Sequence, residues 1–276
     1  MKKMTQRQNQ GELERFKAAK ENEIKRLIAD SSSIKPFNGS RLSFTQALKK
    51  GLCHRNLAII AEYKRASPSL GDIDLNLSPE QAAANYHRAD ALSILTEETY
   101  FKGSLSYIER ALAPKLPILR KDFIFHPLQI AATAATAASA VLLIVRLTPQ
   151  LEQLKLLMGA ALEGGLEVVV EVFDEIDLET ARLAEAKIIQ VNRRDLCGLT
   201  LQSEKQLSLI EKFPPLPGEL WIAASGLKSA ADLKTVVEAG FSAALIGSAL
   251  MASSSPSKAL GALLTNLEEG FKRLTS

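Results

Sequence analysis

The chain has 276 residues, 46% of them hydrophobic, a formal net charge of +3, two cysteines and three histidines. That length suits one large α/β unit or two small domains, and so slight a charge gives no reason to invoke nucleic acid. Cys53 and Cys197 are single and far apart, which excludes a CxxC site, and His54, His87 and His126 lack metal-ligand spacing.

Much of the positive excess lies near the N-terminus, at Lys2, Lys3, Arg7, Arg15, Lys17, Lys20, Lys25 and Arg26. Met1 to Gln10 is polar throughout and lacks the apolar core of a secretion signal. No stretch approaches the roughly 20 apolar residues of a membrane span. A cytoplasmic protein with no membrane partner and no metal is expected.

From Gly11 to Ala29, Leu13, Phe16, Ile24, Leu27 and Ile28 recur at helical intervals among charges, which predicts an amphipathic helix laid on another surface. A second short helix is predicted around Phe44 to Lys50. A rhythm of apolar run, polar turn and helix follows. The predicted strands are Leu57–Tyr63, Ala91–Leu95, Pro117–Leu119, Ala140–Val145, Leu166–Val172, Lys187–Val191, Leu220–Ala224 and Ala243–Ile246. Ser78-Pro79-Glu80-Gln81 carries a capping Ser, Pro at the first helical position and Gln at the third. Thr148-Pro149 reads as a similar start, and Asp174 heads a segment ending near Ala186. Gly240 sits where the helix after Ser229 should stop. The segment from Leu128 to Ala138 is rich in Ala and Thr, which predicts close packing.

Eight strand-plus-helix units without a long linker favour a closed (β/α)8 TIM barrel, an α/β fold. An open doubly wound sheet would want a Gly-rich turn after the first strand, and no G-x-G-x-x-G follows it. The expected organisation is an N-terminal helical extension, residues 1–56, packed on a barrel of residues 57–276.

Active sites of such barrels form at the C-terminal ends of the strands. Strand one ends in Glu62 and Lys64, two residues apart and so directed to one side. A surface ion pair would look the same. Strand two ends in Thr96-Glu97-Glu98, strand three in Arg120-Lys121-Asp122, strand six in Asn192-Arg193-Arg194-Asp195, strand seven in Ser225-Gly226 and strand eight in Gly247-Ser248. Glu171 is flanked by Val168, Val169, Val170 and Val172 on a strand that should be buried. A carboxylate there must be paired or take up a proton, which suits proton transfer. Two Gly turns after adjacent strands let backbone N–H groups approach a phosphate.

With these residues placed, the chain resembles the indole-3-glycerol phosphate synthase family. The match is carried by Ile60-Ala61-Glu62-Tyr63-Lys64-Arg65-Ala66-Ser67-Pro68-Ser69 and continues through Ser93–Ser104. Pro117–Phe123, Val191–Leu196 and Leu245–Met251 extend it. The resemblance implies a decarboxylating ring closure of 1-(2-carboxyphenylamino)-1-deoxyribulose 5-phosphate in tryptophan biosynthesis, with no cofactor. It also implies a phosphorylated small-molecule substrate and association with other enzymes of that pathway. Lys121 would be the general acid and Glu171 the general base, with Lys64 on the substrate carboxylate. Glu62 and Asn192 would orient lysines and hydroxyls; Ser225, with Ser67, Gly226, Gly247 and Ser248, would lie along the phosphate end.

The family usually reads Ala-Glu-Ser-Gly at the end of strand seven, where this chain has Ala223-Ala224-Ser225-Gly226. Ala224 can neither bind a sugar hydroxyl nor balance a lysine. Ala137-Ala138-Ser139 also departs from the usual Gly-Ala-Asp. Two rival readings stand beside the synthase: a degenerate, non-catalytic barrel, and a related sugar isomerase or a Schiff-base aldolase using Lys121.

Overall fold

The computed structural model of the protein describes residues 2–193 and 203–275, with side chains over 11–193 and 204–270. Eight parallel strands close into a barrel in chain order: β1 (Ala58–Tyr63), β2 (Ala91–Leu95), β3 (Ile118–Lys121), β4 (Ala140–Ile144), β5 (Glu167–Val172), β6 (Ile188–Asn192), β7 (Leu220–Ala224) and β8 (Ala243–Ile246). Strand β1 pairs with both β2 and β8, so the sheet has no open edge. Each predicted strand is present within two residues of its expected ends. A two-stranded ribbon, Ala66–Ser67 against Gly71–Asp72, shapes the loop after β1, and Gly71 takes the turn with φ +67°.

The continuous apolar runs are explained by burial on both faces. Alternate side chains point inward, where Ala58, Ile60, Leu119, Leu142, Val169, Ile222 and Leu245 fill the barrel. The residues between them, such as Ile59, Val141, Val170 and Trp221, face the surrounding helices.

Helix α1 (Lys2–Ala29) precedes α2 (Phe44–Arg55), and α3 (Pro79–Asn85) opens on the predicted capping box of Ser78 and Gln81. Next come α4 (Tyr107–Arg110), α5 (Pro127–Ala134) and α6 (Leu151–Glu163). Helix α5 stops four residues short of the predicted Ala138, leaving its carbonyl ends to Arg41, which donates to Ala134, Thr136 and Ala138. Helix α6 does not use the Thr148-Pro149 start. Val145–Leu147 instead make a 3-10 turn, and the Thr148 hydroxyl is turned back onto the Ile144 carbonyl. Asp174 caps α7 (Glu175–Leu183) as expected. Helices α8 (Ser203–Lys212), α9 (Ala230–Glu238), α10 (Ser248–Met251) and α11 (Pro256–Thr275) complete the chain, and Gly240 follows α9 with φ +91°. Among the described residues, no helix is long and apolar enough to cross a membrane.

Candidate active site

A cavity of about 250 Å³ opens at the C-terminal ends of the strands. It is lined by Glu62, Lys64, Ser67, Lys121, Glu171, Asn192, Ser225, Gly226, Gly247 and Ser248, which are all ten residues the sequence singled out, and by Ala224. Of the Val191–Leu196 motif, Arg194, Asp195 and Leu196 lie outside the described residues.

Strand alternation explains much of this convergence. Glu62 and Glu171 are inward-facing positions at the top of β1 and β5, each 3% exposed. Lys64 lies just past β1 and sets its Nζ 2.9 Å from Glu62 Oε1. The other Glu62 oxygen is buried without a hydrogen-bond partner. A Cβ on Gly247 would run into Glu62 Oε1, so glycine at this position leaves room for the carboxylate. Lys121, the last residue of β3, holds its Nζ 3.6 Å from Glu171 Oε2. Glu171 Oε2 also accepts a hydrogen bond from the Gln190 amide.

At the other side, the Ser225 hydroxyl donates to Asn192 Oδ1 at 2.7 Å. Ser225 and Gly226 take φ +71° and +74° in succession. A serine in that region costs about 1–3 kcal/mol, a strain that clusters at functional sites. Gly247 follows β8 and caps α10, so the two Gly turns sit side by side as the chain order of β7 and β8 requires.

Several lining residues were given no role in the site by the sequence reading, although Glu97 stood among the polar residues at the end of strand two. Phe16 comes from α1, stacks on Phe123 with ring centroids 4.2 Å apart and meets the edge of Tyr100. Phe16, Phe123 and Phe101 make an aromatic wall on one side of the cavity, with Tyr100 packed behind it. Glu97 shapes that wall: its carboxylate accepts from the backbone N–H groups of Thr99, Tyr100 and Phe101. The predicted amphipathic stripe already held Phe16, but nothing in it told which surface it would cover.

A buried ion network fixes α1 over the barrel mouth. Lys20 reaches Asp122 at 2.8 Å and also pairs with Glu23, while Arg120 bridges Glu23 and Asp122 at 2.9 Å each. Burial pushes the Asp122 carboxyl up, but the charges of Arg120 and Lys20 outweigh it and hold the group at about 2. Lys121 stands between Arg120 and Asp122, so the network also braces the backbone that carries the ammonium.

Among the described residues, no group of three or more His, Cys, Asp or Glu side chains is spaced to hold a metal ion. The arrangement offers the Lys64 and Lys121 ammonium groups, the shielded Glu171 carboxylate, an aromatic wall and two Gly turns. It can anchor a molecule with anions at both ends and move protons between them.

Solved structures of similar shape include 3-hexulose-6-phosphate synthase from Salmonella typhimurium, with a TM-score of 0.56, 14% identity, and coverage of 77% of this chain and 99% of that one. Thiamine phosphate pyrophosphorylase from Pyrococcus furiosus gives 0.55 at 14% identity, covering 79% and 98%. These similarities support the barrel fold alone. Sequence similarity goes further. The family model described as indole-3-glycerol phosphate synthase matches residues 7–263. The indole-3-glycerol phosphate synthase of Desulfosudis oleivorans is 40% identical over 248 residues, 89% of this chain and 90% of the relative. That of Exiguobacterium sibiricum is 36% identical over 247 residues, covering 88% and 93%. Both the match through α1 and the barrel and the coverage of whole relatives lead to one conclusion: the chain belongs to the indole-3-glycerol phosphate synthase family.

Proposed function

We propose that Lys121 and Glu171 carry the proton transfers of the family's reaction, with Lys64 at the carboxylate end of the substrate and the two Gly turns at its phosphate end. The protein is an indole-3-glycerol phosphate synthase, a decarboxylating carbon–carbon lyase of tryptophan biosynthesis. It closes the ring of 1-(2-carboxyphenylamino)-1-deoxyribulose 5-phosphate to give indole-3-glycerol phosphate, carbon dioxide and water.

The reaction calls for three proton movements. As the ring carbon bearing the carboxylate attacks the ribulose carbonyl, the oxygen gains charge and takes a proton from the Lys121 ammonium. A fixed ammonium in a water-poor site offsets that charge at no reorganisation cost. The carboxylate then leaves as carbon dioxide, and the electrons of its bond restore the aromatic ring. Finally the new hydroxyl leaves as water on a proton from Lys64, while Glu171 removes a proton from the adjacent methylene carbon. The 3.6 Å separation supports return of that proton from Glu171 to Lys121, and one proton from solvent resets Lys64. That close acid–base pair, inside a cavity that Lys64 and the two Gly turns also line, is the observation that carries the assignment.

Holding the substrate at both ends sets the reacting carbons side by side, which is worth about 7 kcal/mol or more in well-oriented systems. Glu62 steadies Lys64, and Asn192 with Ser225 forms a polar edge suited to the substrate hydroxyls. The aromatic wall of Phe16, Phe101 and Phe123 suits the carboxyphenyl ring. Ser67, beside the Lys64 loop, and Ser248 add hydroxyls near the phosphate.

Ala224 lines the cavity beside Asn192 and Leu245 and brings no polar atom there. We read it as lowering turnover or shifting hydroxyl recognition without abolishing the reaction. Indole formation from the carboxyphenylamino substrate, followed by fluorescence in purified protein, tests the reading. Product is expected from the unchanged protein, and Ala224→Glu should alter kcat or KM. No product from the unchanged protein would leave the degenerate barrel as the better account. We attach to this role a cytoplasmic location and association with other tryptophan-pathway enzymes, which cell fractionation and co-purification test.

A further inference from the structure

We propose that Gln190 is a positioning residue for Glu171: its amide holds the carboxylate oxygen that faces Lys121 and so fixes the base in place at the cavity wall. The inference rests on the reading of Glu171 as the base.

Gln190 lies inside the barrel in the middle of β6, fully buried, paired across the sheet with Glu171 on β5 and Ile222 on β7. Its Nε2 donates to Glu171 Oε2, the same oxygen that faces Lys121 Nζ at 3.6 Å. Among the described residues, no hydrogen bond engages Glu171 Oε1. The amide's other end, Gln190 Oε1, is buried with no partner. An unpartnered carbonyl in an apolar barrel is costly, and an aliphatic side chain would avoid the cost. Turning the amide over would set its oxygen against an ionised carboxylate. One productive orientation remains, with the NH2 on Glu171.

Gln190 does not line the cavity, so it reaches the reaction only through Glu171. A donor to a carboxylate favours its charged form. Removing that donor therefore makes Glu171 easier to protonate and disables the base at a higher pH. Other charges near Glu171 are Lys121 from β3 and, around the cavity, Glu62, Lys64, Asp122 and Lys228; β4 offers only Ile144, and Asn192 adds a neutral amide from β6. None of these changes in a Gln190 variant.

The test compares pH profiles of kcat for the unchanged protein, Gln190→Met and Gln190→Glu, with Glu171→Gln as the reference and thermal melting as the check on folding. Gln190→Met should lower kcat about tenfold with KM within about twofold, and its acid limb should rise by about one pH unit. Gln190→Glu sets two carboxylates together and should move that limb further. If Gln190→Met melts below the assay temperature, the near-isosteric Gln190→Glu carries the test alone. Acid limbs that stay in place while Glu171→Gln is inactive overturn the role of Gln190 and leave the base intact. Full activity in Glu171→Gln overturns the base itself.

Discussion

Glu167 and Glu171 stand four residues apart on the same strand, both directed into the barrel, and their partners could hardly differ more. Glu167, at the lower end, accepts from the Ser43 hydroxyl, the backbone N–H groups of Phe44 and Thr45, and the Thr45 hydroxyl. It thereby ties the start of α2 to the bottom of the barrel. Glu171, at the upper end, has one amide donor and an ammonium at 3.6 Å. A carboxylate saturated with donors is structural cement, whereas one left with few donors at a cavity wall is a reagent. The carboxylate's unmet hydrogen-bonding capacity, rather than its mere burial, separates the two.

The comparison breaks most decisively at Glu171. Glu171→Gln should lower kcat by about 10²–10⁴, the range for a lost general base, with melting nearly unchanged. An active Glu171→Gln protein would end the distinction. Next in size is Lys20→Met, which removes one cation from the buried network above the site and should destabilise the fold by about 3 kcal/mol, read by chemical denaturation. Asp122 gives the same network a pH signature. Its folded value of about 2 lies below the ordinary carboxylate value of about 3.9. Its stabilisation, about 2 kcal/mol, is therefore fully present above about pH 4 and lost as the pH falls toward 2. Denaturation midpoints measured over that window should fall less steeply in Asp122→Asn.

Glu167→Gln should cost about 1–3 kcal/mol of stability, because donors are left unsatisfied, while kcat stays within about twofold. A large kcat loss there would mean that the lower end of the barrel is coupled to the chemistry. The smallest effect belongs to the exposed Arg26–Glu98 pair. Glu98→Gln should change stability by about 0.5 kcal/mol at most, a baseline that a surface contact is not the buried network.

The barrel and the identity of the residues at its mouth were largely legible in the sequence. Apolar runs of strand length, separated by capped helices, predict alternation and closure. Glu171 amid four valines announces an inward carboxylate, and the positions after each strand identify what faces the cavity. Gln190 was just as exposed to reading, one residue before Val191 and inside an apolar run, but a single buried amide does not say which neighbour it serves. The Thr148-Pro149 start was misleading because a capping sequence competes with whatever else its hydroxyl can reach, and here the Ile144 carbonyl lies closer at hand.

Local pattern, then, set which residues form strands, the order of those strands and which side chains can face inward, because each depends on chain geometry over a few residues. Through-space partners were decided only by the closed barrel. Gln190 meets Glu171 across 19 positions, Lys20 meets Asp122 across 102, and Gly247 makes room for Glu62 from the last strand to the first. Those contacts arise from the radius and register of the assembled sheet, and no stretch of chain short enough to carry a periodicity contains both members of any of them.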